Sequence, residues 1–177
     1  MAVQHIRLTQ VQENAAGQAL LQGVLNHARR YVEASFGHRL VGIEGAQLFE
    51  VLHRDVDAAE HRVYAIDLHN GVSKTVGFIT LGLGYAHWDG AYIHFLVIDE
   101  RYRGAGLARQ AVQQLEAIAS TLTRRIRLKV YPPDTDVAGF WQAMGYTVSG
   151  RFPVSFTPPT GLPLHYTMLE RALPMGA

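Results

Sequence analysis

The residues best suited to chemistry lie in one short run, Tyr102-Arg103-Gly104-Ala105-Gly106-Leu107-Ala108. It stands between an apolar, strand-like segment, Leu96-Val97-Ile98, and a stretch with helical periodicity. A helix that begins inside such a loop leaves its first N–H groups without backbone acceptors, and its dipole adds partial positive charge there. Glycine lets an anion approach the backbone because no Cβ intervenes. The run therefore reads as an anion cradle, to which Arg101 and Arg103 add side-chain charge. A triphosphatase loop needs Gly-Lys-Ser/Thr after its glycines, and Leu107-Ala108 stand there instead. A dinucleotide fingerprint needs a third small residue where Arg109 sits. The histidines form no His-x-x-x-His or His-x-His pair, so no metal site is expected.

Hydrophobic patterning gives the elements that must hold this loop. Val3 to Thr9 alternates as a strand. Asn14 suits the N-cap of a helix whose stripe, Leu20, Leu21, Val24 and Leu25, continues to Ala28 and Val32. A second helix is expected from Gln47 to His53. Strands are expected at Arg62 to Leu68, Thr75 to Leu83 and Ala91 to Asp99, with turns at Asn70-Gly71 and Asp89-Gly90 that favour antiparallel pairing. The loop opens a helix expected from about Gly104 to Ser120. Ile126 to Tyr131 reads as a strand, followed by a short helix capped by Asp134 or Asp136 and stopped by Gly145. Tyr146 to Arg151 and Leu164 to Glu170 complete the strands. The expected fold class is α/β, a mixed and mostly antiparallel sheet flanked by helices, in a single domain over residues 1–177.

Composition mostly excludes. The chain has 177 residues with 16 Lys+Arg against 15 Asp+Glu, a net charge of +1, which argues against a nucleic-acid partner held by a large positive field. Cysteine is absent, which removes a disulfide scaffold, a thiolate metal site and a Cys nucleophile. No signal-peptide pattern or membrane-length apolar run is seen, so neither a membrane partner nor any compartment but the cytoplasm is expected.

With those motifs in view, the sequence resembles the GCN5-related N-acetyltransferase (GNAT) family. The family's Arg/Gln-x-x-Gly-x-Gly/Ala loop is matched at Arg103, Gly106 and Ala108, after the aromatic Tyr102. Its Leu-x-Val pattern before the loop is matched by Leu96-Val97-Ile98. A later pattern is matched loosely by Asp134, Val137, Phe140, Trp141, Gly145 and Tyr146. The resemblance spans residues 62–150 and reaches the first 60 only through element order. It implies a GNAT-like sheet splayed at an acyl-CoA site between the strands ending near Ile98 and Tyr131. It implies acetyl-CoA, or another acyl-CoA, as acyl donor and cosubstrate. Backbone groups of Leu96, Val97 and Ile98 would bind the pantetheine arm, and N–H groups from Arg103 through Gly104, Ala105, Gly106, Leu107 and Ala108 the pyrophosphate. Asp134 and Trp141 fall within the donor-site pattern. The implied activity is direct N-acylation of a primary amine on a small molecule or protein, with a non-catalytic acyl-CoA-binding module as the alternative. A homodimer is common in the family.

The catalytic candidates follow from that chemistry. A general base is needed to deprotonate an ammonium nucleophile, and its pKa should lie near neutral. His94 is the leading candidate, read as sharing a strand face with Tyr92, Leu96 and Ile98. Glu44 and Glu50 are secondary candidates, otherwise read as solvated carboxylates. The family often uses a Tyr of the short helix as general acid, and Trp141 stands there; Tyr131 is the substitute. Arg101, Arg109, Arg124, Arg125 and Arg127 read as a basic patch around the helix, able to reach a CoA phosphate. The segment from Phe152 to Leu162 reads as an acceptor-site wall or a dimer contact.

Overall fold

One sheet carries the molecule, and the feature that matters for function is where its ladder stops. The computed structural model describes residues 5–36, 41–53, 60–69, 71–84, 88–131, 135–153 and 165–174. The chain runs β1 (His5–Val11), α1 (Ala15–Leu25), α2 (Arg29–Phe36), α3 (Glu44–His53), β2 (His61–His69) and β3 (Ser73–Leu83). It continues with β4 (Ala91–Ile93), β5 (Leu96–Ile98), α4 (Leu107–Ser120), β6 (Arg125–Val130), α5 (Thr135–Ala143), β7 (Thr147–Pro153) and β8 (His165–Ala172). The strand order is β1-β2-β3-β4-β6-β8-β7, with β5 paired to β3 off this path. Every pairing is antiparallel except β4 with β6. The mixed, mostly antiparallel α/β fold expected from the sequence is the fold observed.

Two cores sandwich the sheet. On one face, Leu107, Ala111, Val112 and Leu115 of α4 pack with Ile126, Leu128 and Val130 of β6 and with Ile66 and Ile98. On the other, Leu21 and Leu25 of α1 and Leu48 and Leu52 of α3 pack on Val63, Phe78 and Val97. Each fully buried Leu, Ile, Val or Phe contributes about 1.5–3 kcal/mol. This second core covers β2, β3 and β5 and includes no residue of β6, β7 or β8 among the described residues.

The expected helix through Val32 is two helices. Asn14 caps the first as expected, its Oδ1 accepting from Gly17 N at 2.9 Å. After Leu25, His27 N and Ala28 N bond three residues back, to Val24 O and Leu25 O, which tightens and ends the helix. The His27 carbonyl then accepts from Glu100 N at 2.9 Å, joining the helix break to the loop after β5. The helix after the Gly-rich loop starts at Leu107 rather than Gly104. Leu122 lies beyond its end and is exposed.

Candidate active site

The site is built around one extra residue. Tyr92 pairs with Gly82, whereas Leu96 pairs with Ile79, so a residue is inserted between β4 and β5 relative to β3. This is a β-bulge at His94-Phe95. Thr80 closes it: its buried hydroxyl accepts from His94 N at 3.2 Å and Phe95 N at 3.0 Å, while Thr80 N donates to Phe95 O at 3.0 Å. The bulge inverts the pleat. Phe95 and Val97 face the α1–α3 core, and Leu96 and Ile98 face the α4 core. The expected single strand from Ala91 to Asp99 is therefore two strands. Its expected common face for Tyr92, His94, Leu96 and Ile98 does not exist.

The same bulge opens the sheet. β4 pairs with β6 only over Ala91–Ile93, and among the described residues no ladder joins β5 to β6. On its other edge β5 is held by β3, with Thr80 N donating to Phe95 O and Asp99 N to Val76 O. Backbone groups alternate direction along an antiparallel pair. Residues 95, 97 and 99 therefore spend theirs on β3, and those of Leu96 and Ile98 point into the gap toward β6.

Beyond β5 the chain turns through a single 3-10 turn, Glu100–Tyr102, into the cradle. Asp99 is 2% exposed and caps that turn, accepting from Arg101 N at 2.9 Å. It also grips the Arg101 guanidinium twice, at 3.0 Å from Nε and 2.6 Å from the terminal nitrogen. Burial would raise the Asp99 pKa, but the hydrogen bonds and charge of Arg101 hold it below its usual value. Arg101 is thus a latch on the loop, committed to Asp99. Arg103 stands exposed at the loop's outer edge.

Gly104 and Gly106 adopt φ of 80° and 75°, and a Cβ at either would meet open space, so the backbone there is open to approach. Gly106 is the N-cap of α4, which has no side-chain cap and no acidic residue in its first turn. Its leading N–H groups and the positive end of its dipole therefore face outward from the end of β5. This arrangement fits a pyrophosphate at the helix end with an extended arm laid along β5.

His94 lies on the opposite face, above Gly82. A Cβ at Gly82 would fall 3.3 Å from His94 Nε2 and 3.1 Å from the His61 ring, so glycine is what lets two imidazoles share that spot. The rings of His61 and Tyr92 lie 5.2 and 4.4 Å from that of His94. Burial, with His61 and Lys129 nearby, lowers the His94 imidazole to about 3. The near-neutral pKa expected of a general base is not what this environment produces. His94 is neutral across the physiological range.

Other candidates are redistributed. Tyr131 follows β6 and is exposed, its ring 5.8 Å from Tyr166. Trp141 is 4% exposed and packs edge-on against Phe140 and Tyr146, which makes it a core residue. Asp134 lies outside the described residues, as do positions 154–162 of the expected acceptor wall. Phe152 belongs to β7 and stacks on Tyr166 at 5.5 Å.

Glu44 is fully buried rather than solvated. It accepts from Val41 N at 2.7 Å, Gly42 N at 2.9 Å and Gln22 Nε2 at 3.0 Å, binding the start of α3 to α1. Glu50 is exposed. The basic patch also divides. Ile126, Leu128 and Val130 face α4, so the alternate residues Arg125 and Arg127 lie on the other face, away from the cradle.

Sequence reading missed Asp99, Thr80, His61 and Lys129. The Asp-x-Arg spacing at a strand end could have suggested the latch, and alternate cations along β6 the side chains beside His94. Nothing in the sequence marks Thr80. Among the described residues no cluster of three metal-ligating side chains occurs, and no helix is long and apolar enough to cross a membrane.

The model of the acetyltransferase (GNAT) family matches residues 42–146. The chain belongs to the GNAT acetyltransferase family. An acetyltransferase from Thermus thermophilus is similar in structure at 25% identity and a TM-score of 0.70, covering 98% of this chain and 100% of that one. An N-acetyltransferase from Staphylococcus aureus follows at 17% identity and a TM-score of 0.67, over 98% and 100%. The ribosomal-protein-S18-alanine N-acetyltransferase of Escherichia coli is similar at 11% identity and a TM-score of 0.66, over 98% and 97%. No match is found among curated proteins. The GNAT chain is therefore an acyl-transferring enzyme of the N-acetyltransferase kind.

Proposed function

We propose that this enzyme takes acetyl-CoA as donor and acetylates a primary amine by direct attack, without an acyl-enzyme. The observation that carries the reading is the uncapped N-terminus of α4 set at the end of the splayed strand β5. The Arg103 N–H turns back to the Glu100 carbonyl at 3.5 Å, so N–H groups from Gly104 to Ala108 hold the pyrophosphate and the Arg103 side chain adds charge. Backbone groups of Leu96 and Ile98 take the pantetheine amides, as a neighbouring strand would. Bound acetyl-CoA supplies a thioester whose carbonyl carbon gains the acceptor nitrogen while its C–S bond breaks and the thiol leaves.

His94 enters this step neutral. An imidazole near 3 is a poor base for a free ammonium ion, but a nitrogen that has committed its lone pair to an acyl carbon is far more acidic. His94 accepts the proton at that stage. Tyr131, at the mouth of the gap, donates a proton to the departing sulfur from its phenol. Structures of the same fold include a ribosomal-protein-S18-alanine N-acetyltransferase and a spermidine N-acetyltransferase chimera, one named for a protein and one for a small amine, so the acceptor amine is left open between those carriers. A cytoplasmic setting and a homodimer complete the reading.

Two measurements test it. Saturating acetyl-CoA raises the melting temperature, because the donor binds only the folded chain. Thiol release across a panel of amines then reports turnover. A melting temperature unmoved by acetyl-CoA, propionyl-CoA and CoA alike overturns the donor assignment.

A further inference from the structure

Three strands set a row of residues across the face of the sheet opposite α4. His61 of β2 pairs with Gly82 of β3, and Gly82 pairs with Tyr92 of β4. Val63 and Phe78 of the same strands belong to the α1–α3 core, so by alternation His61 and Gly82 share their face. Gly82 adds no side chain to the row, and the His94 ring lies over that position. His61 Nδ1 and His94 Nε2 each lie 3.3 Å from the point a Gly82 Cβ would occupy, and the ring centroids are 5.2 Å apart. A proton can pass between imidazoles so placed, directly or through one water.

His61 also has a second side. It lines a cleft of about 170 Å³ between the end of β1, α3 and the start of β2, to which Gln12, Glu13 and His53 add polar groups. His53 Nε2 meets Glu13 Oε2 there at 3.0 Å, and the two side chains are 37% and 46% exposed, so the cleft opens to water. His61 thus stands between the His94 ring and solvent. The other groups around the pair are Tyr92, whose ring lies 4.4 Å from that of His94, and Lys129 of β6, which lies 5.9 Å from the Tyr92 ring and 4.8 Å from that of Tyr166. Burial, with His61 and Lys129 nearby, gives His94 a weak hold on any proton it takes. Such a group serves repeated turnovers only if it can pass the proton on.

We infer that His61 is the relay through which His94 discharges its proton, and that the cleft between β1, β2 and α3 is the exit. In each turnover the amine nitrogen gives one proton to His94, His94 gives one to His61, and His61 gives one to water in the cleft. Both imidazoles return to their starting form, and no other bond changes in the relay. This rests on the reading of His94 as proton acceptor. His61 acts through His94 and not on the substrate.

The test is single-turnover acetylation of the amine used fastest in the panel, at saturating acetyl-CoA, with His61→Ala and His61→Gln. Both variants are expected to be slower by about tenfold or more, with the thermal response to acetyl-CoA kept. Added imidazole is expected to restore His61→Ala in proportion to its neutral form, because it enters the space opened beside the cleft. It is expected to leave His61→Gln slow, because glutamine fills that space. A loss in His61→Ala that imidazole does not restore overturns the inference, since a structural role predicts it. So does His61→Gln at the wild-type rate. If His94→Gln is as fast as the wild type, the proton-acceptor reading falls and the relay with it. A slow His94→Gln beside fast His61 variants removes the relay alone.

Discussion

The two sides of this active site are assembled in opposite ways. The donor side is one continuous run, from Leu96 through Ala108, in which strand, latch, glycines and helix N-terminus follow in order. The groups proposed to bind the donor are mostly backbone N–H and C=O, so glycines and dihedral angles matter more there than side chains. The side proposed for the acceptor gathers His61 from β2, Gly82 from β3, Tyr92 and His94 from the bulged strand, Lys129 from β6 and Tyr166 from β8. Its recognition groups are side chains, brought together only by strand register. A backbone site on a contiguous segment can keep its ligand while the rest of the chain diverges, whereas a side-chain site on several strands is free to change its substrate.

Substitutions on each side should therefore separate the two steps. The largest effect is expected from His94→Gln, which removes the proton acceptor and lowers kcat about a hundredfold with little change in acetyl-CoA affinity. The shape of the pH profile checks the assignment further. With the wild-type imidazole near 3, His94 is deprotonated throughout pH 5 to 8, so kcat/KM in that window has no acid limb for the substitution to remove. A limb near pH 6.5 that vanishes in His94→Gln would refute the neutral-histidine picture.

Gly106→Val addresses the other side. A branched L side chain at φ of 75° costs about 1–2 kcal/mol, which the loop can relieve only by moving the N–H groups that face the donor. Acetyl-CoA affinity, measured by calorimetry, should fall roughly five- to thirtyfold. Equal affinity would show that the pyrophosphate lies elsewhere.

The smallest effect on activity is expected from Glu44→Gln, which acts on the scaffold of the acceptor side. Its amide presents hydrogens to backbone N–H groups that need an acceptor, and the loss is about 1–3 kcal/mol of stability near neutral pH. Burial would raise the Glu44 pKa, but the hydrogen bonds of Val41, Gly42 and Gln22 hold it below the ordinary 4.5. The stabilisation is therefore complete above about pH 4.5 and fades as pH falls through the lower folded-state value. Denaturant midpoints of the two proteins should converge on acidification. A gap that stays constant with pH would mean that the carboxylate charge contributes nothing.

This contrast also explains what the sequence made legible. The cradle could be read because its residues are adjacent and its glycines have a local reason to be glycine. The strand order up to β3 and the cap at Asn14 were equally local. The bulge was not, because Ala91 to Asp99 looks like an unbroken apolar strand until it is laid against β3 and found one residue too long. The pKa of His94 is lowered first by burial in the folded sheet and then by His61, 33 positions away in sequence, so no local pattern carries it. Glu44 looked like a surface carboxylate because the partners that bury it, Gln22 and the Val41-Gly42 amides, are ordinary residues. Trp141 was read against a motif, whereas its burial depends on Phe140 and Tyr146 closing around it.

The hydrogen bond from Glu100 N to the His27 carbonyl joins the two sides mechanically. It fastens the turn that leads into the cradle to the hinge between α1 and α2, the pair of helices lying over the acceptor face of β3 and β5. Under the proposed function, a donor that stiffens the loop is expected to stiffen that hinge as well.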